Sequence, residues 1–342
     1  MKAIAFRKHG DSRVLELMDL PTPPVGARDV LVRVKATALN HLDVWVRQGW
    51  PGLTLALPHI LGSDIAGVVD RVGAEVADLS PGTEVLVNPG LSCGRCARCL
   101  AGEDNLCRQY QIIGEHSPGG YAEFVSVPRQ NILPKPKRLS FEEAACIPLT
   151  FLTAWTMLLR RAAVKPGETV LVQAGGSGVG SAAIQIAKLL GARVIATAST
   201  DAKADRARAL GADDVINYQK TDFVDEVKRL TERRLVDVVF EHVGGATFEK
   251  SVACLPYGGR LVTCGATAGH AVSLDLRVLF YKRISLLGST MGSKGDLFRI
   301  LQLVEEGRLK PVLDRTLPLD QAAQGHALLE NRTQFGNVVL HV

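Results

Sequence analysis

The chain has 342 residues, of which 46% are hydrophobic and 22% are charged, and this length favours two globular domains. No apolar run reaches the ~20 residues of a membrane span, and the first apolar stretch is too short for a secretion signal. We therefore expect a cytoplasmic protein with no membrane partner. The net charge of +5 does not indicate a nucleic-acid partner, because the densest basic group, Lys135, Lys137 and Arg138, alternates with prolines and is typical of a solvated linker.

The first part of the chain, to about residue 130, is predicted to be rich in β-strands. Short alternating runs such as Val30–Val34 and Glu84–Val87 are bounded by turns that contain proline and glycine. The pattern then changes, and Phe141–Leu159 has the spacing of a helix.

From Thr169 onward, strands and helices alternate. Strands are predicted at 169–174, 193–197, 214–217, 237–240, 260–264 and 284–287, and helices at 181–190, 202–210, 222–230 and 246–254. This order predicts an α/β fold with a doubly wound parallel sheet over residues 151–288. The tail, 289–342, has two helices and a final strand, and we expect it to complete the domain formed by residues 1–150.

A glycine-rich loop, Gly175-Gly176-Ser177-Gly178-Val179-Gly180, lies directly between a predicted strand and a predicted helix. Backbone N–H groups at such a helix start can bind a pyrophosphate, assisted by the helix dipole. Ser177 replaces the middle glycine of G-x-G-x-x-G, and it is small enough to let phosphates approach and offers a hydroxyl. The context predicts a dinucleotide site, and a tight turn without a ligand is the alternative.

The choice of dinucleotide depends on the end of the second strand of this region. An NAD enzyme usually has an acid there that binds the ribose, whereas here the first acid is Asp201, at the start of the next helix. Ser199, Thr200 and Lys203 instead favour a 2′-phosphate and therefore NADP(H) over NAD(H). Two alternatives stay open: Asp201 can turn back to the ribose, and Lys203 can be an ordinary surface residue.

Four of the seven cysteines lie close together, as Cys93, Cys96, Cys99 and Cys107. Short C-x-x-C steps place sulfurs on one tight loop, and a fourth sulfur completes a tetrahedron around zinc. Four thiolates leave no open coordination position. The spacing therefore predicts one structural zinc that does not touch substrate.

Several segments together resemble the zinc-containing medium-chain dehydrogenase/reductase superfamily, which includes alcohol dehydrogenases and quinone oxidoreductases. They are Leu61–Gly67, the segment 93–107 with its four cysteines (the cysteine lobe), Gly119–Glu123, the glycine loop and Gly336–Leu340, so the resemblance covers essentially the whole chain. It implies a β-rich GroES-like catalytic domain, a six-stranded Rossmann domain, and assembly as a homodimer or homotetramer.

Alcohol dehydrogenases of this superfamily hold a catalytic zinc through a cysteine in the first helix, a His-Glu pair and a later cysteine or aspartate. The matching positions here are Asn40, Ser63, Asp64 and Leu149, and Leu42 stands at the hydroxyl relay position. Because the first and last ligands are missing, the resemblance implies that there is no catalytic zinc.

The segment 40–49 is similar instead to the N-x-x-D-x-x-x-R-x-G pattern of quinone oxidoreductases and related enone reductases. In that branch the asparagine lies near the nicotinamide, so the resemblance implies catalytic roles for Asn40, His41 and Asp43. It also implies further cofactor contacts at Thr153, Tyr218, Val243, Cys264, Gly265 and Asn337.

Simpler roles for these residues stay open. Asp43 can form an ion pair with Arg47 one helical turn further on, and His41 can bind pyrophosphate or occupy a surface or capping position. An unorthodox metal site built from His41, Asp43, His59 and Asp64 is a further alternative.

The resulting hypothesis is hydride transfer from NADPH to a quinone or to the β-carbon of an enone, a small-molecule carbonyl substrate. The protein would contribute mainly positioning and electrostatic stabilisation of the developing oxyanion, and water or His41 would supply the proton. A zinc-dependent alcohol dehydrogenase is the alternative enzyme. A non-catalytic NADPH-binding protein is the alternative of a different class.

Overall fold

A computed structural model describes residues 1–342. The chain forms two compact units, one made of Met1–Leu152 and Gly292–Val342, the other of Thr153–Met291. No helix in either unit combines the length and the apolar composition that crossing a membrane requires.

Eighteen strands form in chain order: β1 Lys2–Phe6, β2 Glu16–Asp19, β3 Asp29–Ala38, β4 His59–Ile60, β5 Asp64–Val72, β6 Glu84–Val87, β7 Gly90–Leu91, β8 Gln111–Ile112, β9 Phe124–Pro128, β10 Ile132–Pro134, β11 Thr169–Val172, β12 Arg193–Ala198, β13 Asp214–Asn217, β14 Val238–Glu241, β15 Arg260–Thr263, β16 Ser285–Gly288, β17 Leu313–Pro318 and β18 Asn337–His341.

The α-helices are α1 His41–Gln48, α2 Ala97–Leu100, α3 Phe141–Ala145, α4 Pro148–Trp155, α5 Gly178–Leu189, α6 Asp201–Ala209, α7 Phe223–Leu230, α8 Gly245–Ala253, α9 Leu276–Lys282, α10 Lys294–Glu305 and α11 Ala322–Glu330. Polar caps set several helix starts: Ser140, Thr200 and Ser293 each accept a hydrogen bond from the backbone N–H three residues on.

The first unit is built on a seven-stranded sheet in which β3 is central. The strand order is β10-β6-β5-β3-β18-β17, and β9 also pairs with β3. The C-terminal strand β18 pairs antiparallel with β3 through Val339 and Ala38, so the tail is part of this sheet. A three-stranded sheet, β2-β1-β4, and the short pair β7-β8 complete the unit.

The second unit is one parallel sheet of six strands in the order β13-β12-β11-β14-β15-β16. Helices connect consecutive strands, as the alternation in the sequence predicts. The strand order reverses between β11 and β14, which is the point where open α/β sheets bind ligands. This confirms the Rossmann part of the predicted α/β fold.

Some element predictions were wrong in their bounds or missed an element. The stretch predicted as one helix over Phe141–Leu159 is divided into α3 and α4, since Pro148 disfavours helical backbone at the residue before it, and α4 continues into a π-helical segment, Thr156–Arg161. Helix α5 begins three residues before the predicted Ser181. Helix α9 and strand β17 were not predicted.

The predicted solvated linker around Lys135 is also incorrect in part. The Lys135 side chain is only 4% exposed, and its Nζ donates to the carbonyl oxygens of Pro136 at 3.2 Å and Leu139 at 2.5 Å. The apolar stem is buried while the ammonium group reaches these oxygens and Glu84.

Candidate active site and metal centre

The predicted dinucleotide residues of the second unit follow the carboxyl ends of its parallel strands. The glycine loop follows β11, and Ser199 follows β12. Tyr218 comes after β13, Val243 after β14, and Cys264 after β15. Because parallel strands end at the same edge of a sheet, these residues lie along one edge, around the strand-order reversal.

The glycine loop packs closely against its strand and helix. A Cβ atom at Gly180 would lie 2.4 Å from the carbonyl oxygen of Ala174, so only glycine fits there. Ser177 is the N-cap of α5, and its Oγ accepts a hydrogen bond from Gly180 N at 2.9 Å. The Ser177 side chain therefore fixes the helix start, a role that was not predicted from the sequence.

The residues predicted to bind a 2′-phosphate lie at the end of β12. Thr200 is the N-cap of α6, where its Oγ1 accepts from Lys203 N at 3.2 Å. The first acid after this strand, Asp201, binds Asn217 Nδ2 at 2.9 Å and Lys220 Nζ at 2.6 Å. The hydrogen bond from Lys220 lowers the pKa of Asp201. The carboxylate of Asp201 is thus committed to two neighbours.

A buried carboxyl group lies next to the residues predicted on the nicotinamide side. Glu241 ends β14, is fully buried, and accepts hydrogen bonds from Val243 N at 3.0 Å and Gly244 N at 3.1 Å. Burial raises the pKa of Glu241, and burial followed by the charge of Glu241 raises the pKa of Cys264 to about 12. Cys264 is therefore an unreactive thiol at neutral pH. Glu241 was not predicted from the sequence.

In the first unit, Asn40 and two buried aspartates form a compact polar cluster. Asn40 is 7% exposed, and its Nδ2 donates to Asp64 Oδ2 at 2.8 Å. The other carboxylate oxygen of Asp64 accepts from Leu149 N at 2.7 Å. Asp43 accepts from Asn40 N at 2.7 Å and from Gly62 N at 3.0 Å. Burial raises the pKa of Asp43 and of Asp64 to about 7.

The predicted ion pair between Asp43 and Arg47 does not form, so that prediction was wrong. Arg47 is fully buried, and its guanidinium donates to Glu330 Oε1 at 2.5 Å, to Gly10 O at 3.1 Å and to His326 Nδ1 at 3.1 Å. These partners come from α11 and the N-terminal loop. The guanidinium therefore joins elements that are far apart in the chain.

Asp43 is instead connected to Arg47 through two other side chains. Burial lowers the pKa of His326 to about 3, so the imidazole is neutral; its Nδ1 accepts from Arg47 and its Nε2 carries the proton. The His326 Nε2 atom lies 3.3 Å from the Tyr121 hydroxyl oxygen and donates to it, and the hydroxyl in turn donates to Asp43. Each donor in this series of hydrogen bonds thus has an acceptor, and Asp43 accepts three hydrogen bonds in all.

The remaining predicted residues of the first unit have partners other than the two aspartates. His41 begins α1, packs against Trp45 and has its pKa lowered to about 4, chiefly by burial. His59 binds Gly114 O at 3.0 Å through Nε2. Asn337 is buried, and its Nδ2 lies 3.4 Å from Val312 O. Thr153, in the second unit, is also buried.

The four predicted zinc-ligating cysteines converge. Their sulfur atoms all lie within 4.8 Å of one another, and those of Cys96 and Cys99 are 3.5 Å apart. A tetrahedron with metal–sulfur bonds of about 2.3 Å has edges of about 3.8 Å, so the set fits zinc. Backbone N–H groups of Arg95 and Cys96 lower the pKa of Cys93 to about 6, which favours the ligating thiolate.

No other group of three or more His, Cys, Asp or Glu side chains in the chain is arranged to hold a metal ion. The proposed unorthodox set of His41, Asp43, His59 and Asp64 therefore does not converge. The sequence also did not identify His326 or Glu330, because their proximity to the aspartate cluster comes from packing between α1 and α11 and leaves no local motif.

The six-stranded sheet, the capped glycine loop and the four-cysteine centre define a nicotinamide-dependent oxidoreductase of two units. Comparisons with known proteins agree. The family model described as "Alcohol dehydrogenase GroES-like domain" matches residues 26–137, and the one described as "Zinc-binding dehydrogenase" matches residues 178–306.

A curated NAD-dependent alcohol dehydrogenase of Sulfurisphaera tokodaii is 34% identical and aligns with 95% of this chain and 96% of its own. A quinone oxidoreductase of Sus scrofa is 29% identical over 99% of this chain and 97% of its own. A crystal structure of an NAD-dependent alcohol dehydrogenase is similar over 100% of both chains, with 57% identity and a TM-score of 0.97. The chain belongs to the medium-chain dehydrogenase/reductase superfamily and is an NAD(P)-dependent oxidoreductase.

Proposed function

We propose that this chain is an NADP(H)-preferring oxidoreductase that reduces quinones or α,β-unsaturated carbonyl compounds without a catalytic metal. The observation that supports this most directly is the set of groups around the Asp64 carboxylate. Its two oxygens accept hydrogen bonds from Asn40 and Leu149, and no set of metal-ligating side chains surrounds it. A simple ketone or alcohol needs strong polarisation of its oxygen, whereas a conjugated acceptor spreads the charge that it gains.

In the proposed reaction, the glycine loop at the start of α5 would hold the dinucleotide, which when bound would supply a hydride for the β-carbon of the enone. The electron pair moves to the carbonyl oxygen, and a proton is then added at the α-carbon. Asn40 stabilises that oxygen through an amide N–H. Water supplies the proton, because the lowered pKa of His41 leaves its imidazole neutral and a poor acid at neutral pH.

The preference for NADP(H) is supported by the end of β12. Asp201 accepts hydrogen bonds from Lys220 and Asn217, and these contacts compete with a hydrogen bond from a ribose hydroxyl. Ser199, Thr200 and Lys203 follow the carboxyl end of β12, and we propose that they bind the 2′-phosphate of the dinucleotide. Lys203→Ala should lower kcat/KM for NADPH by about 10- to 100-fold and leave NADH unaffected. An equal loss with both dinucleotides would contradict the assignment.

A second candidate, NAD-dependent oxidation of alcohols, is favoured by the names of the Sulfurisphaera tokodaii relative and of the 57% identical structure. The two functions are separated by initial rates with 1,2-naphthoquinone, small enones, ketones and alcohols, each with both dinucleotides. Reduction of the conjugated acceptors with NADPH supports the proposal. Activity confined to alcohols with NAD would replace it, and dinucleotide binding without turnover of any substrate would favour a non-catalytic role.

We also propose that the chain forms a homodimer through β16 and α9. Strand β16 is an edge of the six-stranded sheet, and α9 beside it exposes Leu276, Phe280 and Tyr281 by about two thirds of their surface. An unpaired edge with apolar neighbours is stabilised when a second copy pairs with it about a two-fold axis. The double variant Phe280→Glu, Tyr281→Glu should be monomeric in analytical ultracentrifugation, whereas an unchanged mass would exclude this interface.

A further inference from the structure

Asp64 is placed to hold a single catalytic amide in one orientation. The carboxyl group is completely buried at the start of β5, and each oxygen has one donor. Leu149, whose backbone N–H donates to Oδ1, is the second residue of α4, so the carboxyl group also fixes the start of that helix. Asn40 Nδ2, which binds Oδ2, belongs to the loop between β3 and α1.

The amide of Asn40 has two N–H bonds on the same nitrogen, and only one of them points to Asp64. Because the amide group is planar, this contact fixes the whole group and directs the second N–H away from Asp64. The backbone is held too, since Asp43 Oδ2 accepts from Asn40 N at 2.7 Å. Neither the side chain nor the backbone of Asn40 can turn without breaking a buried hydrogen bond.

We propose that Asp64 is a positioning residue for the reduction: it holds the Asn40 amide so that the free N–H donates to the substrate oxygen that becomes negative. This inference rests on the proposed function, because it assumes that Asn40 binds that oxygen. Asp64 is fully buried and does not touch the substrate, so it acts only through Asn40. A donor held before the reaction begins stabilises the oxyanion without further reorganisation.

The charge state of the cluster determines which way the amide points. The hydrogen-bonded cluster contains one buried cation, Arg47, and three carboxyl groups: Glu330, Asp43 and Asp64. Asp43 accepts three hydrogen bonds and Asp64 two, so Asp64 is the better place for a proton. A protonated Asp64 needs an acceptor, and a flipped Asn40 offers its Oδ1. The ionised form therefore keeps the productive orientation.

The groups that face Asp64 come from three elements. Burial is the main cause that raises the pKa of Asp64, and the charge of Asp43, which lies on α1, raises it further. The buried Tyr121 lies on the loop before β9. Cys146, at the end of α3, is held as a neutral thiol because burial raises its pKa. Of these groups, only the two aspartates change charge near neutral pH.

The test begins with Asp64→Asn. The new amide can still accept from Leu149 N, but its NH₂ group then faces Asn40, which must flip and present its oxygen. We expect kcat to fall by about 10²- to 10³-fold, as for loss of an oxyanion donor, with the Kd for NADPH within about twofold. Asp70→Asn, on the same strand, is the matched control, because Asp70 pairs with Arg33 at the surface and should leave kcat unchanged.

A double-mutant cycle with Asn40→Ala separates positioning from general structural damage. If Asp64 acts through Asn40, then Asp64→Asn should change kcat less than about threefold in the Asn40→Ala background. Additive losses would overturn the proposal.

The pH dependence of kcat provides a second readout. The wild-type kcat should rise with pH as Asp64 ionises, and the pH profile of Asp64→Asn should lack this step. A pH profile that is the same in both proteins would contradict the proposal.

The exchange variant Asn40→Asp, Asp64→Asn provides a test if the single variant does not fold. It keeps a carboxylate–amide hydrogen bond and the contact to Leu149, so the protein should fold, but position 40 can no longer donate. We expect a Tm near that of the wild type and a kcat at least about 100-fold lower; retained activity would refute the donor role.

Selective ¹⁵N labelling of asparagine gives a readout that does not depend on the substrate. The Asn40 side-chain amide signal should shift in Asp64→Asn and stay unchanged in Asp70→Asn. If the wild type oxidises only alcohols, the proposed function fails, while this signal and the cycle measured on alcohol oxidation still test the role of Asp64.

Discussion

Individual side chains explain why the first unit tolerates ionisable groups in its interior. Arg47 is completely buried, yet each part of its guanidinium has a partner: Glu330, His326 and Gly10 O. Arginine keeps its charge when buried, so the charge must be met by nearby acceptors. The side chain holds α1 against α11 and the N-terminal loop.

Removing this guanidinium should be far more damaging than removing the charge of its partner. Arg47→Met leaves Glu330 and His326 without their donor, and we expect a loss of about 3–5 kcal/mol in the free energy of unfolding. Glu330→Gln keeps an acceptor, is a third exposed, and should cost about 1 kcal/mol. Urea denaturation of both variants tests this, and equal losses would show that the guanidinium contributes nothing beyond its ion pair with Glu330.

The buried aspartates also predict how stability changes with pH. The pKa of Asp64 is about 7 in the folded protein against an ordinary value of 3.8. Between these two pH values the folded state holds a proton that the unfolded state has lost. The contribution of this group to the free energy of unfolding therefore falls as pH rises through the interval. Asparagine does not titrate. Relative to the wild type, Asp64→Asn should therefore gain stability from about pH 4 to about pH 7, and a constant difference would contradict the assigned shift.

Among the elements, α5 is the one whose start the site depends on most. Gly180 lies within α5, and an added Cβ would meet the carbonyl oxygen of Ala174 at 2.4 Å. Gly180→Ala should lower Tm and weaken NADPH binding at least about tenfold, since the loop must move away from its strand. Gly295→Ala in α10 is the control, because its Cβ meets only Ser293 Oγ at 3.9 Å and alanine favours helix. Equal effects of both variants would contradict the close packing of the loop.

The cysteine lobe is tied to α10 by a nearly buried ion pair. Lys294 Nζ donates to Asp104 Oδ2 at 2.9 Å and to Ser92 Oγ at 3.0 Å. The four converging cysteine sulfurs would hold the rest of this lobe together through the metal, so removing zinc with a chelator should lower Tm and accelerate proteolysis within residues 93–107. Dinucleotide affinity should change less than about twofold, because the glycine loop and the predicted cofactor residues after β12 to β15 belong to the second unit. A chelated protein with unchanged Tm would contradict the structural role of the metal.

Across the whole molecule, local patterns predicted the parts of the fold that depend on neighbouring residues. The C-x-x-C steps and the strand–glycine–helix order are local, and the cysteines and the parallel sheet are found where they were expected. Strand β17 was missed because it pairs with β18 and only this partner makes it a strand. The contact of Asn40 with Asp64 was equally invisible, since 24 residues separate them and the fold alone brings them together.

We propose that this chain keeps a structural zinc and uses no metal in catalysis. It is tested most directly by the zinc content of the purified wild-type protein after dialysis, measured by mass spectrometry against protein concentration. We expect about one zinc per subunit, held by the four converging cysteines. A value near two per subunit would contradict it.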